Sequence, residues 1–294
     1  MDKAISRKML RTMEPYHGMI YFVPEARQRY EALGLRGRRM GYFASRAAAL
    51  GPVSAEVVIA TFFNFHPGLV RRAIPEAWSL TTPAALLDAR LLAADEVLRR
   101  VLGDAVDGPA VAEAAALATV ATGGCHLEGR PLYAAHAALG WPDEPHLALW
   151  WAQTLLREFR GDGHIAALVC EGITGCEALV LHEASGADSL APGTLQASRA
   201  WPDDEWEAAQ ASLRDKGCLD DGNAMTDAGR AVRQRVEDTT DELALVCWER
   251  LGDAKSQRLR ELVRPFSRAI SEQAFTVENM TSALDLPPEV AGRG

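Results

Sequence analysis

Apolar residues recur at three- and four-residue spacing along nearly the whole chain and almost never alternate strictly with polar ones. This pattern predicts helices. One covers residues 24–35, with proline at its first position and glycines 34 and 37 at its end. Others follow at 39–50, closed by Gly51-Pro52, and at 55–63, where the Ser54 hydroxyl is placed to cap the first turn. A short helix ends at Ala77-Trp78, and longer ones cover 83–102 and 109–121, the last broken by Gly123-Gly124. The second half reads as helices at 131–139, 147–159, 164–171 and 176–184, with Gly161-Asp162-Gly163 interrupting the run and a loop at 186–192. Then come a short helix to Trp201, one at 203–216, two short strands around a turn at 217–226, and helices from 227 to about 251 and from 254 to about 273. Residues 276–294 read as a loose tail. The fold class is mostly α, with a small two-stranded wing. Its domains are an N-terminal helical unit at 1–125 and a second helical unit at 126–275.

The two units resemble each other. Shifting the chain by 121 residues aligns 23–59 with 144–180 without a gap, and Pro24, Leu35, Arg36, Arg39, Gly51 and Glu56 meet identical residues. Shared helix breaks support a tandem duplication of a three-helix unit about a pseudo-twofold axis, where a cleft would form. Phe43 of the first copy aligns with His164 of the second.

Composition narrows the class. The 294 residues are 48% apolar and 24% charged, which suits a globular protein with a sizeable core. No apolar run is long enough to span a bilayer, and the N-terminus leads into an amphipathic stretch. The five cysteines contain no C-x-x-C and read as reduced thiols of a cytoplasmic protein. A net charge of −9 gives no general support to polyanion or anionic-membrane binding. Walker, G-x-G-x-x-G and G-x-S-x-G motifs are missing.

Two resemblances carry further. Lys216-Gly217-Cys218-Leu219, followed by Met225-Thr226-Asp227-Ala228-Gly229-Arg230 opening a long helix, resembles the wing of a MarR-type winged helix, placed at about 192–252. The stretches Met13-Glu14-Pro15-Tyr16-His17, Gly41-Tyr42-Phe43-Ala44-Ser45-Arg46, Phe63-Asn64-Phe65-His66-Pro67 and Arg160-Gly161-Asp162-Gly163-His164 resemble an actinobacterial family of SalK-like helix-turn-helix proteins. That resemblance implies a fold and no settled activity.

Those same stretches hold the candidate chemistry. His164, His17 and His66 stand at predicted helix boundaries and suit proton exchange. Each also has a plain reading as a helix-terminal histidine bonded to backbone. Asp162 is placed to cap a helix beginning at Gly163, which would put His164 in a first turn where the helix dipole keeps it neutral. Glu14, Tyr16, Tyr42, Phe63, Asn64 and Arg160 are candidates to bind an apolar or aromatic ligand. No H-x-x-x-H or H-E-x-x-H spacing occurs, so no cofactor is predicted; a metal would need three distant histidines to converge.

The recognition-helix position enters through Asp203-Asp204-Glu205-Trp206-Glu207, and four carboxylates there oppose a DNA backbone. The expected function is therefore binding of a small apolar or aromatic molecule by a tailoring or resistance enzyme of secondary metabolism with His-based acid–base chemistry. The alternative is a MarR-like ligand-responsive regulator that binds DNA. No membrane partner is expected, and a homodimer is compatible with either reading.

Overall fold

The computed structural model describes residues 1–187, 191–276 and 278–280. The loop expected at 186–192 lies partly outside them, and the tail expected at 276–294 largely outside. The first half holds α1 (Ala4–Gly18), α2 (Pro24–Ala32), α3 (Gly37–Ala47), α4 (Ala55–Phe62), α5 (Pro67–Arg71), α6 (Glu76–Leu80), α7 (Pro83–Leu102) and α8 (Pro109–Thr122). The second holds α9 (Pro131–Ala137), α10 (Pro145–Cys170), α11 (Gly175–Ala184), α12 (Thr194–Arg199), α13 (Asp203–Asp215), α14 (Asp227–Leu243), α15 (Leu245–Leu251) and α16 (Asp253–Ala274).

The starts of these helices follow from local chemistry. Proline occupies the first turn of α2, α5, α7, α8, α9 and α10, where its missing N–H costs nothing. The hydroxyls of Thr82, Thr174 and Thr226 accept the backbone N–H of Ala85, Glu177 and Gly229. Thr174 and Glu177 complete a reciprocal capping box. Ser54 occupies the cap position of α4, but its hydroxyl accepts no backbone N–H there, contrary to expectation.

Three sequence expectations are corrected. Helix α10 runs unbroken through Gly161-Asp162-Gly163. Gly163 is there for close approach, since a Cβ would collide with the Arg130 guanidinium, which is fixed by the carbonyls of Phe159 and Leu243 at 2.8 and 3.1 Å. The wing has no strands among the described residues. A single antiparallel bridge, Leu219 to Met225, closes its turn. The helix expected from 227 to 251 is two, with a break at Ala244 between α14 and α15.

Two helix corners recur at the positions aligned in the sequence. Helices α3 and α4 meet at 93°, and α10 and α11 at 94°. The corners carry the aligned glycines Gly51 and Gly172, both at positive φ (81° and 66°), a conformation that favours glycine. The first aligned helix differs: α2 stops at Ala32, whereas α10 continues to Cys170.

The largest core draws on both halves, from Met9 through Phe159 and again from Cys247 to Ala274. Helix α1 crosses to pack on α16, α10 and α14, and α8 packs on α10 and α16. A smaller core beneath the wing gathers Leu168, Ile173, Leu179, Trp206, Leu213 and Val236. No single helix among the described residues is long and apolar enough to cross a membrane.

Candidate functional site

The large core encloses a polar cluster where α1, α3, α7 and α10 meet. Helix α10 supplies a buried stripe at four-residue spacing: His146, Trp150, Thr154, Glu158 and Asp162, each at most 5% exposed. Thr154 and Glu158 are the centre of the cluster.

His17, on the last turn of α1, is fully buried between Thr154 Oγ1 (3.0 Å from Nδ1) and Tyr21 Oη (3.1 Å from Nε2). The Thr154 hydroxyl donates its one proton to the Trp150 carbonyl at 3.0 Å. It therefore accepts from His17 Nδ1–H, which leaves Nε2 to accept from the Tyr21 phenol. Arg90 Nη2 donates to the same phenol oxygen at 3.1 Å. The result is a directional chain from Arg90 through Tyr21, His17 and Thr154 to backbone. Burial first, then the charges of Arg157 and Arg90, holds the His17 imidazole well below its usual range, so it is neutral at pH 7.

Beside this chain, Arg46 Nε and Nη2 donate to the two oxygens of Glu158 at 3.0 and 2.7 Å, a buried bidentate pair. Arg157 Nη1 also donates to Glu158, at 3.1 Å. Burial alone would raise the Glu158 carboxyl, but Arg46 and Arg157 outweigh it and hold it well below the usual range. Arg46 Nη1 donates to Tyr42 Oη at 3.3 Å. The Tyr42 ring is ringed by Tyr21, Phe43, Phe62 and Phe65, with centroids 5.2–6.0 Å away. Burial pushes the Tyr42 phenol up, yet Arg46, Arg157 and Arg199 together bring it below the usual tyrosine range.

A cavity of about 350 Å³ opens on this cluster. Tyr21, Tyr30, Gly41, Tyr42 and Ser45 form its inner wall, and Arg27, Glu31 and Arg38 its rim. On the other side of His17 lies a cleft of about 30 Å³ touched by Glu14, Gln153 and Arg157, enough for about one or two waters. Glu14 is 39% exposed as a side chain but buries Oε2 without a protein partner, and that burial raises its pKa despite Arg157 at 3.6 Å.

Of the residues singled out in the sequence, Glu14, His17 and Tyr42 converge here, and Arg160 touches the small cleft beside His17. The others do not. His164 lies in the interior of α10, not in a first turn, and packs against α14 with Nδ1 3.0 Å from Thr240 Oγ1. Burial, not a helix dipole, lowers its pKa. Asp162 does not cap its own helix. It accepts the Tyr133 N–H at 2.9 Å, so it caps α9 from outside, and burial pushes its carboxyl up to about 6. Arg160 bonds Asp241 Oδ1 at 2.7 Å. Tyr16 is fully buried and donates to the His146 carbonyl at 3.2 Å. His66 caps α5 by accepting the Gly68 N–H and lies 3.1 Å from Glu205, as the plain reading has it. The Phe63 carbonyl abuts Gly175, and the Asn64 carbonyl accepts the Trp201 indole N–H at 3.0 Å, so both tie the end of α4 to α11 and to the segment after α12 rather than line the cavity.

Tyr21, Arg90, Thr154, Arg157 and Glu158 were not singled out in the sequence. The signal was the polar residues at 146, 154, 158 and 162, at four-residue multiples on an otherwise apolar helix face. Among the described residues no group of three or more His, Cys, Asp or Glu could hold a metal ion.

Two pairs of helices, each meeting near a right angle across a break of at most four residues, have the geometry of a helix-turn-helix. The chain belongs to a helix-turn-helix family, whose model matches residues 6–276. No curated protein and no solved structure matches the chain.

Proposed function

We propose that this helix-turn-helix protein binds a small, partly aromatic molecule in the 350 Å³ cavity and exchanges a proton with it through Tyr21 and His17. The observation that carries the reading is the fixed direction of the Arg90–Tyr21–His17–Thr154 chain, which ends at the cavity wall. A ligand donor hydrogen-bonded to Tyr21 Oη can pass its proton there while Tyr21 hands its own to the bare Nε2 of His17. Arg90 steadies the phenol oxygen, and the Arg46–Glu158 pair fixes Tyr42 beside it. The SalK-like resemblance is compatible with a tailoring or resistance enzyme of secondary metabolism.

The test compares wild type with Ser45→Leu, which fills the inner wall, by native mass spectrometry of protein purified from its own host. Wild type should carry a small molecule and Ser45→Leu should not. Identical, ligand-free spectra from both would contradict the reading.

Family membership favours a second reading, a MarR-like regulator that binds DNA. Charge opposes the use of α13 for that purpose. Asp203, Asp204, Glu205, Glu207 and Asp215 are exposed on α13, Asp220 and Asp221 on the turn after it, and Asp227 at the start of α14. Lys216, the nearest lysine, is bound to Glu177 at 2.7 Å. The positive surface lies elsewhere, in the groove between α1 and α16 lined by Lys8, Arg11, Arg264 and Arg268. Gel-shift titration with α13 and groove variants separates the two faces.

A further inference from the structure

The charge around the cavity does not balance, and this identifies the kind of molecule it takes. The inference rests on the cavity reading above and extends it. Four guanidiniums surround Tyr21 and Tyr42: those of Arg46, Arg90, Arg157 and Arg199. Two carboxylates face them. Glu158 is shared by Arg46 and Arg157, and Glu14 reaches only Arg157. Neither is bonded to Arg90 or Arg199.

Arg90 is 2% exposed. Its Nη2 bonds the Tyr21 phenol at 3.1 Å and its Nη1 the Ser45 carbonyl at 3.5 Å, while Nε–H is buried without a partner. Its guanidinium lies over the rings of Tyr21 and Trp150, at 5.6 and 5.4 Å from their centroids. Arg199 also buries an unpartnered Nε–H and lies 4.6 Å over the Phe65 ring. Aromatic faces soften a buried cation but do not neutralise it. Buried charge is retained where an opposite charge meets it. The two groups that Arg90 contacts, Tyr21 and Ser45, are both cavity wall. Its positive charge therefore stands one layer behind that wall.

We propose that the cavity ligand is an aromatic carboxylic acid, bound as its carboxylate at the Ser45–Tyr42 corner in front of Arg90, which leaves Tyr21 Oη to accept from a separate donor group on the ligand. The Tyr42 hydroxyl, whose oxygen accepts from Arg46, has its own proton free to donate to the carboxylate, and the Arg90 guanidinium behind the wall supplies the counter-charge. Tyr21, Tyr30 and Tyr42 line the cavity and give the aromatic body apolar surface to pack against. The rim carries both signs of charge, Arg27 and Arg38 with Glu31 and Glu278, and Glu31 pairs with Arg27 at 3.6 Å. The preference for an anion thus comes from the inner wall and not from the mouth.

The probes are benzoate and its neutral isostere benzamide, titrated calorimetrically into the full chain. Wild type should bind benzoate at least tenfold more tightly than benzamide. Arg90→Met should abolish that preference, and Arg90→Lys should restore part of it. Should neither variant fold, a wild-type measurement decides: benzoate should raise the pH at which the most acidic tyrosine ionises, read by phenolate absorbance, because it shares the field that favours the Tyr42 anion. Equal binding of both probes, or a tyrosine titration unmoved by benzoate, overturns the inference and leaves the cavity reading standing. Failure of both probes to bind, with Ser45→Leu indistinguishable from wild type, overturns both.

Discussion

Tyr21 is the residue on which the site turns. Its oxygen joins a cation to a neutral imidazole, and removing it orphans both. Tyr21→Phe leaves Arg90 Nη2 and His17 Nε2 buried without that partner, and should cost about 1–3 kcal/mol of stability. Thermal or urea unfolding checks the cost, and ligand affinity should fall with it. A variant as stable as wild type would show that the chain of bonds is not formed. Gly175 carries a separate expectation. A Cβ there would meet the Phe63 carbonyl oxygen, which is backbone and cannot swing aside. Gly175→Ala should destabilise by about 1–3 kcal/mol, as other overpacked contacts do, and a neutral effect in urea unfolding would contradict the close approach.

Among the elements, helix spacing made most of the fold legible before any coordinates. Periodicity predicts helices at 83–102 and 109–121, and α7 and α8 stand at Pro83–Leu102 and Pro109–Thr122. The 121-residue shift anticipates the paired corners at 93° and 94°. What misled was glycine. Gly161 and Gly163 count against a helix by propensity, but α10 is held by packing along most of its length, and Gly163 makes room for Arg130 from another element. The wing turn is too short to build a ladder, so the expected strands reduce to one bridge. The site was half legible for the same reason. Glu14, His17 and Tyr42 stood in distinctive motifs. His17 bonds Tyr21 and Tyr42 bonds Arg46, each four residues away, but Arg90, Thr154 and Glu158 complete the cluster from α7 and α10 through bonds that span 69 to 137 residues of chain, which no local pattern encodes. His164 drew attention as the counterpart of Phe43 but faces α14. The acidic face of α13 gives its own prediction. Generic duplex DNA should bind no more tightly than about 10⁻⁴–10⁻⁶ M near physiological salt, and reversing Asp203 and Asp204 to lysine should tighten it. A salt-sensitive nanomolar complex of the wild type in a gel shift would contradict this.

On the scale of the whole molecule, buried histidines set the response to acid. His17 and His164 titrate below their usual 6.5, and His136 is pushed down to about 4, each chiefly by burial. Below pH 6.5 the unfolded chain therefore binds protons at these three sites that the folded chain refuses, so stability falls as pH drops. Asp162, raised to about 6, and Glu14 act in the opposite sense, because the folded state takes up their protons first. Three groups outweigh two, and the melting temperature should be lower at about pH 5.5 than at about 7.5. An increase on acidification would mean that the histidines are not held neutral. The larger claim is that the helix-turn-helix scaffold presents a cavity to small molecules and an acidic α13 to solvent. The most direct test is thermal-shift measurement of the purified protein, at about 0.15 M salt, against a small-molecule extract of its host and, separately, against duplex DNA. The account predicts a higher melting temperature with the extract, lost in Ser45→Leu, and no change with DNA; stabilisation by DNA and none by the extract would contradict it.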